Sequence, residues 1–377
     1  MLLHLLSGVF RPGAVMLDGL LIPFSFQDRS ARPQSRVFYC LTFLTMISPI
    51  ALLSSARSTS PAVHILHENG TWVEPLRRHL DALGVPFHEW FLDDVELDLS
   101  SIPPEGVFYN RMSASSHTRD HRYAWEATRG VMAWLEAHGR KVVNNRRATA
   151  LEVSKVEQVI ALRDHGLLTP HTVAATGVQA LRSAATRWDR PFIVKPNRGG
   201  KGTGVTLVRN AQELELLAQD FESYTLDGTV VLQEYIQPAE GRVLRLEFIG
   251  GEHYYTVSID AGGGFELCPS DACQVGSSFC PADGRSRFEI LDDHHPEERE
   301  RCQAFLSDVG MEVAAMEAAA NAQGQLHFYD ININTNYNEK AEAAAGNARQ
   351  GMRAIAEFLG AELAKLPVVS HKESAQS

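Results

Sequence analysis

The sequence predicts a small α/β layer followed by a larger α+β body, and three patterns carry that expectation. Between residues 61 and 145, short apolar runs alternate with helix-period segments, which favours a parallel sheet. Beyond residue 150 the strands come as hairpins mixed with helices, most clearly residues 243–248 and 253–259 around Gly250-Gly251. The chain has 377 residues, of which 44% are hydrophobic and 21% charged. That composition is ordinary for a globular protein and excludes a mostly disordered, collagenous or coiled-coil chain. The length exceeds the ~250–300 residues that one core sustains.

The elements follow in order. Residues 63–66 read as a buried strand stopped by Asn69-Gly70, and Trp72, Leu76, Leu80 and Leu83 mark a helix face ending at Gly84. Strands are expected at 85–92, 106–109 and 141–144, with a helix through Ala124, Ala127, Thr128, Val131, Met132 and Leu135. In the second half a helix is expected over 153–165, and strands at 191–195 and 230–234. Cys302, Phe305, Leu306 and Val309 line a helix closed by Gly310, and Met352, Ile355, Leu359, Leu363 and Leu366 line the last one.

A net charge of −11 argues against a general nucleic-acid or anionic-membrane binder. Cys40, Cys268, Cys273, Cys280 and Cys302 are too few and too uneven for a disulfide scaffold, so a reducing, cytoplasmic setting fits. Cys268, Cys273 and Cys280, with His294, His295 or Cys302, offer a zinc site at non-standard spacing; incidental thiols are the simpler reading. The first 60 residues differ from the rest. Arg32 and Arg36 precede an apolar run at 37–53 interrupted by Thr42, Thr45, Ser48 and Pro49. A dispensable extension, a weak anchor and a cleaved signal all fit that layout, in that order of preference. The folded protein is expected to begin near Pro61, and residues 368–377 form a polar tail.

Two segments demand chemistry. Lys195-Pro196-Asn197-Arg198-Gly199-Gly200-Lys201-Gly202-Thr203-Gly204 runs from a strand into a turn with four glycines in six positions. Bare backbone N–H groups flanked by lysines suit a triphosphate, although neither a Walker pattern nor a dinucleotide fingerprint is present. A solvated surface turn is the alternative. In residues 327–336, strand alternation puts Tyr329, Ile331 and Ile333 on a core face, with Asp330, Asn332, Asn334 and Asn336 on the other. Asp and Asn disfavour strands, and Mg²⁺ ligation would explain them better than a solvated face. A symmetric turn at 321–324 would put Glu317 opposite Phe328 and diagonal to Asp330, about 7–8 Å away. The alanines around Glu317 have helical propensity, so a helical Glu317 stays open. Arg111 with Ser113, Ser115, Ser116 and His117 reads equally as a substrate-facing loop or a plain surface loop.

Together these motifs resemble the ATP-grasp ligases, in the branch of the RimK-like ribosomal-protein glutamate ligase and glutathione synthetase. The resemblance covers roughly residues 61–365 and rests on Ser154-Lys155, Ile193-Val194-Lys195-Pro196, the glycine loop, Leu232-Gln233-Glu234-Tyr235-Ile236, residues 242–251, and Asp330-Ile331-Asn332. It implies two α+β lobes gripping ATP (a lid lobe at 149–235 and a metal-binding lobe at 236–367) behind a parallel α/β domain at 61–148. Lys155 and Lys195 would then contact the phosphates, and the loop from Gly199 to Gly204, with Lys201 and Thr203, would close over them. Gln233, Glu234, Tyr235 and Ile236 would hold adenine, and Glu240 the ribose. Glu317, Asp330 and Asn332 would bind Mg²⁺ or Mn²⁺, Arg245 would steady an acyl phosphate, and Arg111 would lie on the acceptor side. Asp330 stands where relatives commonly have Glu. Asn334 and Asn336 make the substrate end distinct and are taken as substrate contacts.

The implied activity is ATP-dependent joining of a carboxylate to an amine through an acyl phosphate, with an amino acid, peptide or protein tail as substrate. A D-alanine–D-alanine-type ligase and a catalytically silent ATP-binding scaffold are the alternatives. A homo-oligomer is left open, no nucleic-acid partner is expected, and membrane association is a minor option resting on the apolar segment.

Overall fold

The structure, a computed structural model, describes residues 13–17, 20–24, 60–261, 287–291, 295–346 and 349–367. Two compact units divide after Ile47. In the first, Gly13–Leu17 (β1) and Leu20–Phe24 (β2) pair antiparallel, with Leu17 opposite Leu20. The apolar run at 37–53, Cys40, the loop cysteines Cys268, Cys273 and Cys280, His294 and the tail at 368–377 lie outside the described residues.

The second unit opens with the expected parallel sheet. Its strands Ala62–His67 (β3), Phe87–Phe91 (β4), Gly106–Asn110 (β5) and Lys141–Val143 (β6) lie in the order β4-β3-β5-β6. Helix α1 (Gly70–Ala82) starts at Asn69, whose side chain accepts the Trp72 N–H, so the residue expected to end the strand also caps the helix. Its buried face is Trp72, Val73, Leu76 and Leu80. Leu83, expected on that face, is the C-cap and is exposed, because the helix ends before the next turn would bring it inward. Helix α2 (Ala124–Ala137) buries Ala124, Thr128, Val131, Met132 and Leu135 as their spacing requires. Strand β6 stops at Asn144, which takes a left-handed φ of 61°. Its buried amide donates to Asn110 O (3.2 Å) and Val313 O (2.9 Å) and accepts the Val313 N–H. That one side chain ties the front sheet to the larger sheet behind it.

The expected helix at 153–165 is α4 (Lys155–Asp164), preceded by a separate helix α3 (Arg146–Glu152). Ser154 splits them as the α4 N-cap, accepting the Glu157 N–H. A four-stranded sheet follows, in the order β7-β10-β8-β9, from Thr172–Thr176 (β7), Phe192–Pro196 (β8), Thr206–Val208 (β9) and Thr229–Glu234 (β10). Helices α5 (Val178–Ala185) and α6 (Ala211–Gln219) cover it, and Leu181, Ala184 and Ala218 meet Val194, Val230 and Leu232 in its core. The remaining strands form a five-stranded antiparallel sheet in the order β13-β12-β11-β14-β15. These are Arg242–Ile249 (β11), Glu252–Asp260 (β12), Phe288–Leu291 (β13), Val313–Ala320 (β14) and Leu326–Asn332 (β15). Helix α7 (Pro296–Val309) packs Cys302, Phe305, Leu306 and Val309 into one core. Helix α8 (Gly351–Ala364) packs Met352, Ile355 and Leu359 against α1 and the parallel sheet in another.

Gly310 ends α7 at φ 68°, and a Cβ there would lie 1.9 Å from the Asn145 amide. Asn145 caps α3 and sends its own N–H to Gly310 O (3.4 Å), so the turn is fitted on both sides. Gly310→Ala combines left-handed backbone strain with displacement of a helix cap. It is expected to cost about 1–3 kcal/mol, read as a lower denaturation midpoint with unchanged m-value.

The β14–β15 hairpin corrects the predicted register. Asn321 N donates to Gln325 O across a loop one residue longer than the symmetric turn, so Ala318 rather than Glu317 faces Phe328. A bulge then shifts the ladder, and Glu317 lies directly opposite Asp330 instead of diagonal to it. The extra residue is Tyr329. A bulged residue leaves strict alternation, so Tyr329 lines the cavity described below beside Asp330, while Ile331 and Ile333 keep the core side. The strand ends at Asn332, which puts Asn334 and Asn336 on the turn beyond it. Glu317 is on a strand, not a helix: β14 is central in its sheet, and its alanines are the small residues that fit between covered faces.

Candidate active site

A cavity of about 330 Å³ opens between the two antiparallel sheets. From the four-stranded side come Ile193 and Lys195, which share one face of β8 as their spacing requires. Lys195 is buried, and its Nζ donates to Tyr329 O on the bulge at 2.9 Å. Burial first, then the neighbouring Lys155 ammonium, pull Lys195 down to about 7. Lys155 opens α4, and its Nζ contacts Asp330 Oδ1 at 2.5 Å. Its backbone N–H donates to Asn197 O, just ahead of the glycine turn (3.2 Å).

The glycine segment folds as a hydrogen-bonded turn, half-buried from residue 198 to 202 and exposed at Thr203. Thr203 N donates to Gly200 O (3.2 Å) and Val205 N to Gly202 O (3.1 Å), with Lys201 at φ 61° and Gly202 at φ 75°. Lys201 Nζ sits 4.1 Å from the Trp72 ring centroid, so the loop meets helix α1 through a cation–π contact. Gly199, Gly200, Lys201, Gly202 and Thr203 all line the cavity. Gly204 does not; it packs under Pro196, and its carbonyl accepts a bond from the Tyr224 hydroxyl.

The opposite wall is the five-stranded sheet. Arg245 on β11 donates from Nε to Glu247 Oε1 (2.6 Å), from Nη1 to Glu317 Oε1 (2.6 Å) and from Nη2 to Thr335 Oγ1 (3.2 Å). Thr335 Oγ1 in turn donates to Glu247 Oε2 (2.6 Å), closing a buried ring of polar groups. Burial, and then repulsion from Asp330, push the Glu317 carboxyl up, while Arg245 and Lys155 pull it back. Glu317, Asp330 and Asn332 all face the cavity. Among the described residues no group of three His, Cys, Asp or Glu side chains could hold a metal. Two carboxylates and an amide oxygen nevertheless suit Mg²⁺, which retains water or phosphate oxygens for its other positions. Cys302, one suggested fourth zinc ligand, is buried in the apolar core of α7 instead.

At the other end the walls are Ile193, Val205, Leu207, Ile236, Pro238 and Val243, a slot suited to a flat aromatic ring. Gln233, Glu234, Tyr235 and Ile236 border it as expected. The Gln233 amide already donates to Thr172 Oγ1 (2.9 Å) and Glu234 N to His171 O (2.8 Å), so it is the backbone of Tyr235 and Ile236, past the end of β10, that borders the slot beyond the strand pairing. Glu240 is exposed on a turn, and its neighbour Gly241, not Glu240, lines the cavity.

Arg111 is fully buried one layer behind the wall, not on a surface loop. Its Nη2 donates to Asn334 Oδ1 (3.0 Å), Thr335 O (3.2 Å) and Asn336 Oδ1 (2.9 Å), so it joins the two asparagines expected at the substrate end and the residue between them. Ser113, Ser115 and Ser116 are buried as well, and Ser113 reaches the cavity. The sequence reading missed Trp72, Glu152, Glu247 and Tyr329. For Glu247 a signal existed: Arg245 and Glu247 stand two apart on a predicted strand and so share a face. Glu152 lines the cavity, accepting the Ala114 N–H (3.1 Å) and the Ile333 N–H (2.8 Å), and burial pushes it up to about 8.

Comparison with known proteins adds to this geometry. A RimK-like ATP-grasp domain matches residues 153–264. A D-alanine–D-alanine ligase of Maridesulfovibrio salexigens is 24% identical over 186 residues, 47% of this chain and 59% of that protein. A probable alpha-L-glutamate ligase of Desulfotalea psychrophila is 27% identical over 219 residues, 58% of this chain and 44% of that protein. The chain thus spans about half the length of these two curated relatives. Among solved structures, the ATP-grasp ligase PsnB complexed with a phosphomimetic variant of its minimal precursor, Mg and ADP superposes with a TM-score of 0.54 at 18% identity. That match covers 80% of this chain and 99% of that one. No helix among the described residues is long and apolar enough to cross a membrane. Two antiparallel sheets closing on a lysine-lined, glycine-capped cavity thus agree with the solved neighbours: the chain has the ATP-grasp fold, and its residues 153–264 match a RimK-like ATP-grasp domain.

Proposed function

We propose that this protein is an ATP-dependent carboxylate–amine ligase acting on an amino acid or peptide. The observation that carries the reading is one cavity in which Glu317 lies opposite Asp330, Lys155 reaches Asp330 at 2.5 Å, and Lys195 closes from the other sheet. Lys155, Lys195 and the backbone of the glycine turn hold the triphosphate, and the apolar slot by Gln233–Ile236 takes adenine. Mg²⁺ (Mn²⁺ being the alternative) on Glu317, Asp330 and Asn332 would neutralise phosphate charge when bound. The segments at 149–235 and 236–367 then act as lid and metal-binding lobes behind the front domain at 61–148.

A substrate carboxylate oxygen attacks the γ-phosphorus and ADP leaves. An amine then forms the C–N bond as the acyl C–O bond breaks and phosphate departs. Arg245 keeps its fork beside Glu317, placed to steady the acyl phosphate; a guanidinium does this better than an ammonium because its donors are planar and paired.

The test is ADP release measured with all pairwise mixtures from an amino-acid and dipeptide panel, D-alanine and glutamate included. Release that requires both a carboxylate and an amine supports the reading. ATP binding with no ADP from any pair would favour a silent nucleotide-binding scaffold.

A further inference from the structure

The cavity is bordered by four carboxylates whose partners differ. Asp330 is paired with Lys155, Glu317 with Arg245 and Glu234 with Arg190. Glu152, buried to 4% exposure, accepts the N–H groups of Ala114 and Ile333 and has no cation within ion-pair distance among the described residues, Lys155 acting on it only from farther off. Three residues before Ala114, Arg111 has the complementary condition. It is a cation at 1% exposure whose partners are amide and carbonyl oxygens and the Met352 sulfur, with no carboxylate. A buried ionisable group without an ion-pair partner is costly to charge, and two of opposite sign border one stretch of wall, residues 333–336, so a ligand that brings a cation to Glu152 would favour its ionised form.

Arg111 also decides how Asn334 and Asn336 are oriented. A guanidinium only donates, so both amides turn Oδ1 toward it and leave their NH₂ groups to the cavity they line. Neither NH₂ group has a protein partner among the described residues. The wall thus offers a carboxylate on one side and two polarised N–H donors, backed by a positive charge, on the other.

We infer that Glu152 and the Asn334–Asn336 pair form the subsite for the amine substrate, and that this substrate is a free amino acid with its ammonium on Glu152 and its carboxylate on the two amides. This rests on the ligase reading above and narrows it: an acceptor with an unblocked carboxylate is a free amino acid or a carboxyl terminus with a nearby amine, not a lysine within a protein. In the second step the ammonium gives one proton to Glu152, and the freed nitrogen attacks the acyl carbon. The C–O bond breaks, and the leaving phosphate takes the second proton.

The experiment is calorimetric titration of the full chain, first with AMP-PNP and Mg²⁺, then with free amino acids and their N-acetyl and carboxamide derivatives. At least one free amino acid is expected to bind, with each blocked derivative at least tenfold weaker. Glu152→Gln should bind AMP-PNP as wild type does and the free amino acid at least tenfold more weakly. Because Gln offers one acceptor where Glu152 uses two, Asn334→Asp is the second variant; it pairs Arg111 internally and should weaken the free amino acid similarly. Unchanged amino-acid affinity in either folded variant, equal binding of blocked derivatives, or no amino-acid binding by protein that holds AMP-PNP would overturn the subsite. Failure of wild type to bind AMP-PNP would overturn the ligase reading itself.

Discussion

Replacing Lys195 by Met is expected to abolish measurable ADP release, a fall of at least about 10²–10³-fold, while leaving the protein folded. The side chain is a buried ammonium that donates to the Tyr329 carbonyl, and among the described residues no carboxylate lies within ion-pair distance of it. Met fills nearly the same volume without the charge. The lowered value of about 7, against 10.5 for a free lysine, gives the direction of the stability effect. Between those values the unfolded chain binds the proton more readily than the folded one, so this group makes stability fall as pH drops from 10.5 toward 7. Lys195→Met removes that trend, and its denaturation midpoint at pH 7 should equal or exceed that of wild type. The same reasoning predicts proton uptake when nucleotide binds above pH 7, because phosphate restores the ammonium; calorimetry at pH 8 in buffers of different ionisation enthalpy would read it. Wild-type turnover in the variant, or loss of its cooperative unfolding, would refute the assignment.

The features visible in the sequence were those set by local pattern. Strand alternation put Ile193 with Lys195, and the glycine spacing forced a tight turn that the backbone keeps at Lys201 and Gly202. Hydrophobic spacing located α1, α2 and the helix bearing Cys302. What was hidden depends on partners far along the chain. Glu152 is an ordinary helical residue by pattern, and its role comes from N–H groups 38 and 181 positions away. The pairing of Glu317 with Asp330 needs two one-residue shifts, a longer turn after Ala320 and a bulge at Tyr329, and no periodicity announces either. Arg111 could be linked to an acceptor side by resemblance, but its burial behind Asn334 and Asn336 is a product of docking the front domain on the larger sheet. Alanine-rich β14 shows the same limit from the other direction: helical propensity lost to a central place in a sheet.

Arg245→Met is expected to produce the largest loss of stability, about 3–5 kcal/mol, together with loss of activity. The guanidinium holds Glu247 and Glu317 at 2.6 Å each, and all three side chains are buried. Removing it leaves two carboxylates facing one another's field with Thr335 Oγ1 as the nearest remaining donor to Glu247. The pH dependence separates this cause from simple loss of packing. Burial already holds Glu247 above the ordinary carboxylate range, with Arg245 the main opposing influence. Without Arg245 its pKa rises further. A carboxyl with a raised folded value favours folding while protonated and opposes it as pH climbs past the unfolded value, near 4.5. The deficit of the variant relative to wild type should therefore be smaller at pH 5 than at pH 8. Arg245→Met/Glu247→Leu, which removes one orphaned charge as well, should recover part of the loss at pH 8. A deficit independent of pH, or no recovery in the double variant, would mean that Arg245 stabilises the sheet through its volume alone.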